Sequence, residues 1–321
     1  MIQANIPRPP YIKPKGFLHQ LIPVVQYGIP KEADSKRDKN VVGTAAHSQY
    51  WENELYKIKN GITVSDGNGG KMWIPGRFYY YMNYKVMSTI NGVIRPDMVD
   101  LHLELAYMIE WCLANGVNLL IPKGRRKGIS EAAHTMLCDY GVRFEESFQA
   151  GVAAGKKTYV EDFMTKWRFA DSHLPPELQL KKLVDNDDEV LFGYQIKNEQ
   201  GAFVEDGSRN AILTRTMHTN PNMFKGLFLK VVISEELGEH ENWFEFFNAT
   251  KDCLKDGNQQ KGIMVAFGTG GSVDKGSKDF KKLSYEAAEH NFVEFIITAD
   301  RFYFYGDAAQ KHRRLPLESE L

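Results

Sequence analysis

The chain has 321 residues, 43% of them hydrophobic, which is enough to bury one large core or two smaller ones. Its formal net charge of -1 excludes a uniformly basic surface, so contact with nucleic acid would have to use local patches. Three widely spaced cysteines without CxxC spacing predict free buried thiols. No apolar run approaches the length of a membrane span and the N-terminus lacks a signal segment, so we expect a cytoplasmic protein.

The first 116 residues are predicted to form an arm followed by short elements. Residues 1–45 have little periodicity and several prolines, which predicts an extended N-terminal arm. A helix is predicted from His47 to Lys57, followed by a glycine-rich hairpin. The aromatic run Arg77–Tyr84 is interpreted as a strand. The apolar spacing in Asp97–Asn115 predicts a helix that ends at Gly116.

From residue 117 onwards, short apolar strands alternate with helices, which predicts a largely parallel sheet covered on both faces. An alternating stretch between residues 189 and 217 predicts a hairpin insert. The predicted strands are Val117–Ile121, Phe148–Ala154, Leu229–Ile233, Ile263–Phe267 and Phe292–Ile297, and the predicted helices are Ser130–Val142, Lys157–Ala170, Trp243–Leu254 and Ser277–His290.

The most informative segment is the basic turn KGRRKGISE, residues 123–131. It lies between a predicted buried strand and a predicted helix N-terminus, where free backbone N–H groups and the helix dipole favour phosphate. The match to the phosphate-loop pattern GxxxxGK[ST] is incomplete. Gly128 and Ser130 fit, whereas Lys123 stands at the first glycine and Ile129 at the lysine. A solvated basic turn is the alternative, but so much charge directly after a buried strand favours phosphate binding.

Two further segments follow predicted strands. Glu235 and Glu236 would lie at the carboxyl edge of the sheet, where one carboxylate can hold Mg²⁺ and its neighbour can orient or deprotonate water. A surface cap on the strand is the alternative. Residues 268–271 (Gly-Thr-Gly-Gly) permit close approach of the backbone to a phosphate, and the Thr269 hydroxyl can sense it. Taken alone, this last segment is more typical of a flexible loop.

Other sequence patterns give weaker indications of function. The segment GVAAGKKT, residues 151–158, looks like a phosphate loop, but its spacing is one residue short and Lys157 stands where serine or threonine is required. We interpret it as the cap of a neighbouring strand that adds positive charge. The histidines show no HxxxH or HxH spacing, so a zinc site is not expected.

With these three elements in this order, the chain resembles the large terminase subunit of tailed bacteriophages, specifically its packaging ATPase domain. The likeness is carried by GRRKGISE (residues 124–131), VISEELG (232–238) and FGTGG (267–271), and it covers roughly residues 45–300. The motifs look similar to those of terminases of the crAss-like phage group. The resemblance implies an α/β P-loop (ASCE-type) ATPase with a mostly parallel central sheet flanked by helices, plus an N-terminal arm and a small lid-like subdomain.

The resemblance also implies domains and residue roles. The arm would span 1–45, the ATPase domain 46–310, and the start of a linker to an absent nuclease domain 311–321, so no nuclease activity is expected. Because Ile129 replaces the usual lysine, Lys127, Arg126 or Lys123 would have to neutralise the phosphates. The implied nucleotide-binding residues are Lys123, Gly124, Arg125, Arg126, Lys127, Gly128, Ile129 and Ser130; the metal ligands Ser130 and Glu235; the catalytic residues Glu236 and Arg125; and the coupling residues Gly268, Thr269, Gly270 and Gly271.

The implied activity is hydrolysis of ATP with Mg²⁺ to drive double-stranded DNA into a prohead in the host cytoplasm. The implied partners are double-stranded DNA, the portal protein, the small terminase subunit and further copies of the chain in a ring, expected to be a pentamer, with no membrane. Two alternatives remain open, another P-loop translocase or helicase and a weakly catalytic nucleotide-binding module that assembles a ring. Arg209, Arg215 and Arg301 are candidates for a trans-acting arginine.

Overall fold

A computed structural model describes residues 22–23, 26–27, 32–35, 37–65, 71–90, 92–96, 98–124, 127–217, 220–240, 242–269, 277–297 and 302–305. The strands are β1 (Ile22–Pro23), β2 (Gln26–Tyr27), β3 (Ile62–Ser65), β4 (Lys71–Ile74), β5 (Met87–Thr89), β6 (Gly92–Ile94), β7 (Met98–Val99), β8 (Asn118–Pro122), β9 (Gln149–Ala154), β10 (Lys182–Asp185), β11 (Glu189–Phe192), β12 (Tyr194–Lys197), β13 (Phe203–Asp206), β14 (Ala211–Thr216), β15 (Val231–Glu235), β16 (Lys255–Asp256), β17 (Gln259–Gln260), β18 (Ile263–Gly268), β19 (Phe292–Ile297) and β20 (Phe302–Tyr305). The helices are α1 (Ala45–Asn60), α2 (Gly76–Tyr84), α3 (Asp100–Asn115), α4 (Ile129–His134), α5 (Tyr140–Phe144), α6 (Lys157–Ser172), α7 (Trp243–Thr250) and α8 (Ser277–Tyr285).

Ten of these strands form one sheet in the order β1-β20-β19-β8-β18-β15-β9-β14-β11-β10. The six strands from β19 to β14 are parallel, and antiparallel strands extend both edges. Strand β18 separates β8, which precedes the basic turn, from β15, which precedes the two acids. This inserted strand and the mostly parallel sheet confirm the predicted fold class.

The sheet is covered on both faces, as continuous apolar strands require. Along β8, Leu119 and Ile121 pack into one core and Leu120 into another, and along β15 the side chains of Ile233 and Val232 divide in the same way. The first core includes residues of α1 to α6, and the second includes residues of α7 and α8. Apolar layers on both sides thus fix the register of the parallel strands.

Five of the strands and most helices lie within a few residues of their predicted positions, but Arg77–Tyr84 was predicted wrongly as a strand. It forms α2, whose nine residues are all buried. A helix buried on every side has no polar face and hence no helical period in its sequence, and aromatic residues then suggest a strand. The tyrosine hydroxyls are satisfied, since Tyr79 donates to Glu54 at 2.9 Å and Tyr80 donates to Asp139 at 2.7 Å.

Two other regions are more elaborate than predicted. The predicted insert contains the hairpin β12–β13, but its last strand, β14, also joins the central sheet parallel to β9. The predicted helix 130–142 is the chain segment α4, a π-helical turn (Thr135–Asp139) and α5. The three cysteines are buried free thiols, as predicted. Among the described residues, no helix has both the length and the apolar character needed to cross a bilayer.

Candidate functional site

The basic turn, the two acids and the glycine segment converge where β8, β15 and β18 end, at one edge of the sheet. Lys123 N–H donates to the Gly268 carbonyl at 3.0 Å, and Gly124 N–H donates to the Ile297 carbonyl at 2.9 Å. These bonds extend the sheet pairing beyond β8 and set the direction in which the basic turn leaves the sheet. Arg125, Arg126, Gly270 and Gly271 lie outside the described residues, so the structure does not address their predicted roles.

The second half of the turn is shaped by Gly128 and a buried histidine. Gly128 has φ +72°, a left-handed conformation that favours glycine, and a Cβ there would lie 3.1 Å from the His102 ring. His102 Nε2 lies 2.9 Å from the Lys127 carbonyl. A carbonyl only accepts, so Nε2 carries the proton, and burial lowers the pKa of the imidazole and keeps it neutral. His102 therefore holds the chain just before the helix begins.

Lys123 of the basic turn lies beside one of the two acids, Glu236. Its Nζ donates to Glu236 Oε1 at 2.9 Å, and the two side chains are only 8% and 17% exposed. Ile129, which stands at the usual lysine position, is buried in the first core. Position 129 therefore faces inward, and the cation that faces Glu236 comes from position 123 instead.

Glu236 is held by the glycine segment as well as by Lys123. Its Oε2 accepts from Thr269 N–H at 3.1 Å and from the Thr269 hydroxyl at 3.2 Å. Its backbone has φ +48°, a strained conformation for a non-glycine residue that aims the side chain back over the sheet edge. A Cβ on Gly268 would lie 2.8 Å from Leu237 N, so the glycine permits the two turns to pack closely.

Ser130 and Glu235 form a second contact beside the first. Ser130 Oγ donates to Glu235 Oε1 at 3.1 Å. Ser130 lies in the first turn of the helical stretch 129–144, where unpaired backbone N–H groups favour an anion. A cation, a hydroxyl and two carboxylates thus meet at one helix N-terminus, through the contacts of Lys123 with Glu236 and of Ser130 with Glu235.

The oxygen groups here fit a magnesium ion. Mg²⁺ prefers oxygen ligands, and it usually takes one or two carboxylates and completes its shell with water and phosphate oxygens. Ser130 Oγ and Glu235 Oε1 are such donors, and Glu235 Oε2 is buried without a hydrogen bond in the described part of the chain. No group of three or more His, Cys, Asp or Glu side chains suited to a metal occurs among the described residues. The donor set therefore suits Mg²⁺ shared with a phosphate rather than a metal held by protein alone.

A cavity of about 230 Å³ adjoins the acids. Glu131 in its wall pairs with Lys85 at 2.9 Å. Burial alone would raise the pKa of the Glu131 carboxyl, but the Lys85 ammonium outweighs this and lowers it. The full lining is Ser130, Glu131, His134, Tyr159, Asp162, Phe163, Lys166, Glu235 and Glu236.

The second phosphate-loop-like segment, 151–158, ends at the same edge of the sheet, on the strand next to β15, but its lysines point away from the two acids. Lys156 is 59% exposed and pairs with Glu239, and Lys157 is 72% exposed and pairs with Glu161. Tyr159 also donates to Glu239 Oε1, at 3.0 Å. This segment caps β9, as predicted, and its lysines contact surface acids rather than Glu235 or Glu236.

Two of the candidate trans-acting arginines bond to nearby groups of the same chain. Arg215 donates to the Asp188 and Thr214 carbonyls at 2.7 and 2.8 Å, and Arg209 pairs with Glu205. Arg301 lies outside the described residues. A trans-acting role for any of the three stays a prediction.

Two histidines of the site were missed from the sequence. His102 precedes Lys127 by 25 residues, and no local pattern links the two. His134 lies 3.0 Å from Glu235 Oε2. It follows Ser130 by four residues, which places both on one helix face, so this spacing was a usable signal.

Comparison with known proteins gives structural neighbours only, since no family model and no curated protein match the chain. The chain is similar to the HK97 bacteriophage large terminase, with TM-score 0.47 and 10% identity over 67% of this chain and 42% of that chain. It is similar to the large terminase of a thermophilic bacteriophage, with TM-score 0.44 and 13% identity over 63% and 46%. The ATPase domain of the Thermus phage P74-26 large terminase gives TM-score 0.41 and 13% identity over 61% and 79%. These neighbours are of the kind that the sequence motifs resemble, and the crAss-like group stays a prediction.

Proposed function

We propose that this chain is the ATPase motor domain of a phage large terminase and hydrolyses ATP to move double-stranded DNA into a prohead. The observation that carries the proposal is the pair of adjacent contacts, Lys123 with Glu236 and Ser130 with Glu235, at the carboxyl edge of the parallel sheet. A cation and a hydroxyl at a helix N-terminus, opposed by two acids, are what phosphoryl transfer to water requires. Most of the catalysis in such sites is positioning and charge stabilisation.

Each residue has a role that its contacts support. Backbone N–H groups at the start of the 129–144 helix bind phosphate oxygens, and Lys123 neutralises their charge. Ser130 and Glu235 would hold Mg²⁺, which neutralises the charge that develops on the phosphates. Glu236 orients the attacking water and accepts its proton. Lys123 donates to Glu236, so phosphate binding that attracts Lys123 would also free the acid.

Thr269 would couple a change at Glu236 to movement of the chain. Both its backbone N–H and its hydroxyl contact Glu236, so a change at the acid reaches the end of β18 directly. This is the position proposed for the coupling segment. The portal protein, the small subunit, DNA and a pentameric ring are proposed as partners on the resemblance alone, and the chain spans less than half of the HK97 terminase.

The test is DNA-stimulated ATP hydrolysis by Glu236→Gln. Loss of a positioned general base typically lowers the rate about 10²- to 10⁴-fold, and glutamine preserves the side-chain shape. Glu239→Gln is the matched control, because Glu239 lies three residues further on and pairs with Lys156 instead. Equal hydrolysis by the wild type and Glu236→Gln would show that Glu236 is not the catalytic acid.

The sequence is compatible with two other functions. A weakly catalytic ring-assembly module was suggested by Ile129, but that residue is buried in the core and Lys123 stands beside the acid. Isothermal calorimetry that shows ATP binding without turnover at saturating DNA would favour this module again. A strand-displacement assay distinguishes a helicase from a packaging motor, because a packaging motor moves along duplex DNA without unwinding it.

A further inference from the structure

Both carboxylate oxygens of Glu235 are reached from one face of the helical stretch 129–144. Oε1 accepts from Ser130 Oγ at 3.1 Å, and Oε2 lies 3.0 Å from His134 Nε2. Residues four apart lie one above the other on a helix, so Ser130 and His134 approach the same carboxylate side by side. One helix face therefore supplies two groups to one acid.

The contact of His134 with Glu235 is close but not aligned. Neither His134 Nε2 nor Glu235 Oε2 makes a hydrogen bond of normal geometry within the described part of the chain, and both atoms are buried. Buried polar atoms in native proteins nearly always have a partner, so two of them 3.0 Å apart call for an explanation. The last torsion of a glutamate is soft, so the carboxylate can rotate toward the imidazole.

Aromatic side chains fix the imidazole, so the carboxylate is the part that can adjust. The His134 ring centroid lies 4.5 Å from that of Phe163 on α6 and 5.7 Å from that of Phe267 on β18. Only 8% of His134 is exposed. The ring edge is therefore held toward Glu235 by packing that does not depend on the acid.

We infer that His134 is a positioning residue that orients Glu235 for a divalent cation. The inference rests on the proposed function, since it concerns the same metal site. With the proton on Nε2, the imidazole would donate to Oε2 and leave Oε1 available to Ser130 and to a bound cation. Groups that orient a metal-binding side chain are worth about 10- to 100-fold in metal affinity.

The test is Mn²⁺ binding to the protein with ADP, followed by electron paramagnetic resonance, which needs no turnover. His134→Phe keeps the aromatic packing and removes both ring nitrogens. We expect its Mn²⁺ dissociation constant to rise about 10- to 100-fold, while ADP affinity measured in EDTA stays unchanged. His134→Gln, whose amide can donate, recovers part of the loss. His290→Phe is the matched control, because His290 also packs on two aromatic rings, Phe244 and Phe247, away from the site.

Three results would overturn the inference. The first is wild-type Mn²⁺ affinity in His134→Phe, the second is an equal loss of metal-free ADP affinity, and the third is failure of the wild type to bind Mn²⁺ at all. If His134→Phe does not fold, His134→Ala with added imidazole replaces it. Recovery of Mn²⁺ affinity by imidazole supports the positioning role, and no deficit or no recovery contradicts it. A wild type that binds Mn²⁺ and ADP but hydrolyses no ATP contradicts the proposed function alone.

Discussion

Two turns of this chain leave parallel strands at the same edge of the sheet, and both combine glycine with lysine. In the turn after β8, Lys123 is 8% exposed and contacts Glu236. In the turn after β9, Lys156 and Lys157 are 59% and 72% exposed and contact surface acids. The second turn contains the Gly-Lys pair of a phosphate loop, yet the first turn builds the site. The two turns differ more clearly in the exposure of their lysines than in their match to the phosphate-loop motif.

The difference in exposure follows from where each lysine lies relative to the last paired residue of its strand. Lys123 still pairs with its neighbours, since its N–H donates to Gly268 and it bridges to Ile297, so its side chain enters the layer that contains the acids. Lys156 and Lys157 come after the last paired residue of β9, at the start of α6. Their side chains emerge into solvent, where an ion pair contributes little.

Of the comparisons between the two turns, the largest difference in ATP hydrolysis is expected when Lys123 and Lys156 are each replaced by alanine. Lys123→Ala should lower ATP hydrolysis about 10²- to 10³-fold, because it removes charge stabilisation from a partly buried site. Lys156→Ala should leave hydrolysis close to wild type. Steady-state rates of both variants check the comparison. Equal rates in the two variants would mean that Lys127 or another cation serves the phosphates.

A smaller effect is expected from two hydroxyls, each on the second residue of the helix that follows its turn. Ser130→Ala removes the donor to Glu235 and a magnesium ligand, so the Mg²⁺ concentration for half-maximal hydrolysis should rise roughly tenfold. Thr158→Ala removes an exposed hydroxyl next to Lys157 and should not shift this concentration. A common Mg²⁺ dependence in both variants would remove Ser130 from the metal site.

The smallest effect concerns the buried histidines beside the two turns. Burial lowers the pKa of His102 next to Gly128 and lowers that of His240 next to Gly155 to about 4. In the unfolded chain each titrates near 6.5, so the unfolded state binds the proton first. Their neutral, buried state therefore stabilises the fold above pH 6.5, and that stability is lost as pH falls toward the folded pKa.

Glutamine variants separate the two histidines. His102→Gln and His240→Gln should each lose less unfolding free energy than the wild type between pH 7 and pH 5, as measured by urea denaturation. Only His102→Gln should also weaken nucleotide binding, because His102 contacts the Lys127 carbonyl in the turn proposed to bind phosphate. Variants as acid-sensitive as the wild type would show that other groups control acid unfolding.

The sequence by itself determined five of the parallel strands of the sheet and the place of the candidate site. The strands β8, β9, β15, β18 and β19 were predictable within about two residues, because a strand buried on both faces needs a continuous apolar run. The meeting of the basic turn with Glu235 and Glu236 was also predictable, since parallel strands that all end at one edge bring their following residues together.

Only the tertiary structure decided which side chains face that site. Lys123 rather than Ile129 faces Glu236, because the chain stays paired with the sheet through residue 123 and position 129 turns into the core. The aromatic segment is helix α2 because packing on all its sides outweighs its strand-like composition. His102 holds the turn from 25 residues away. Local patterns record burial and spacing along the chain, whereas these choices depend on contacts between segments that only the folded chain brings together.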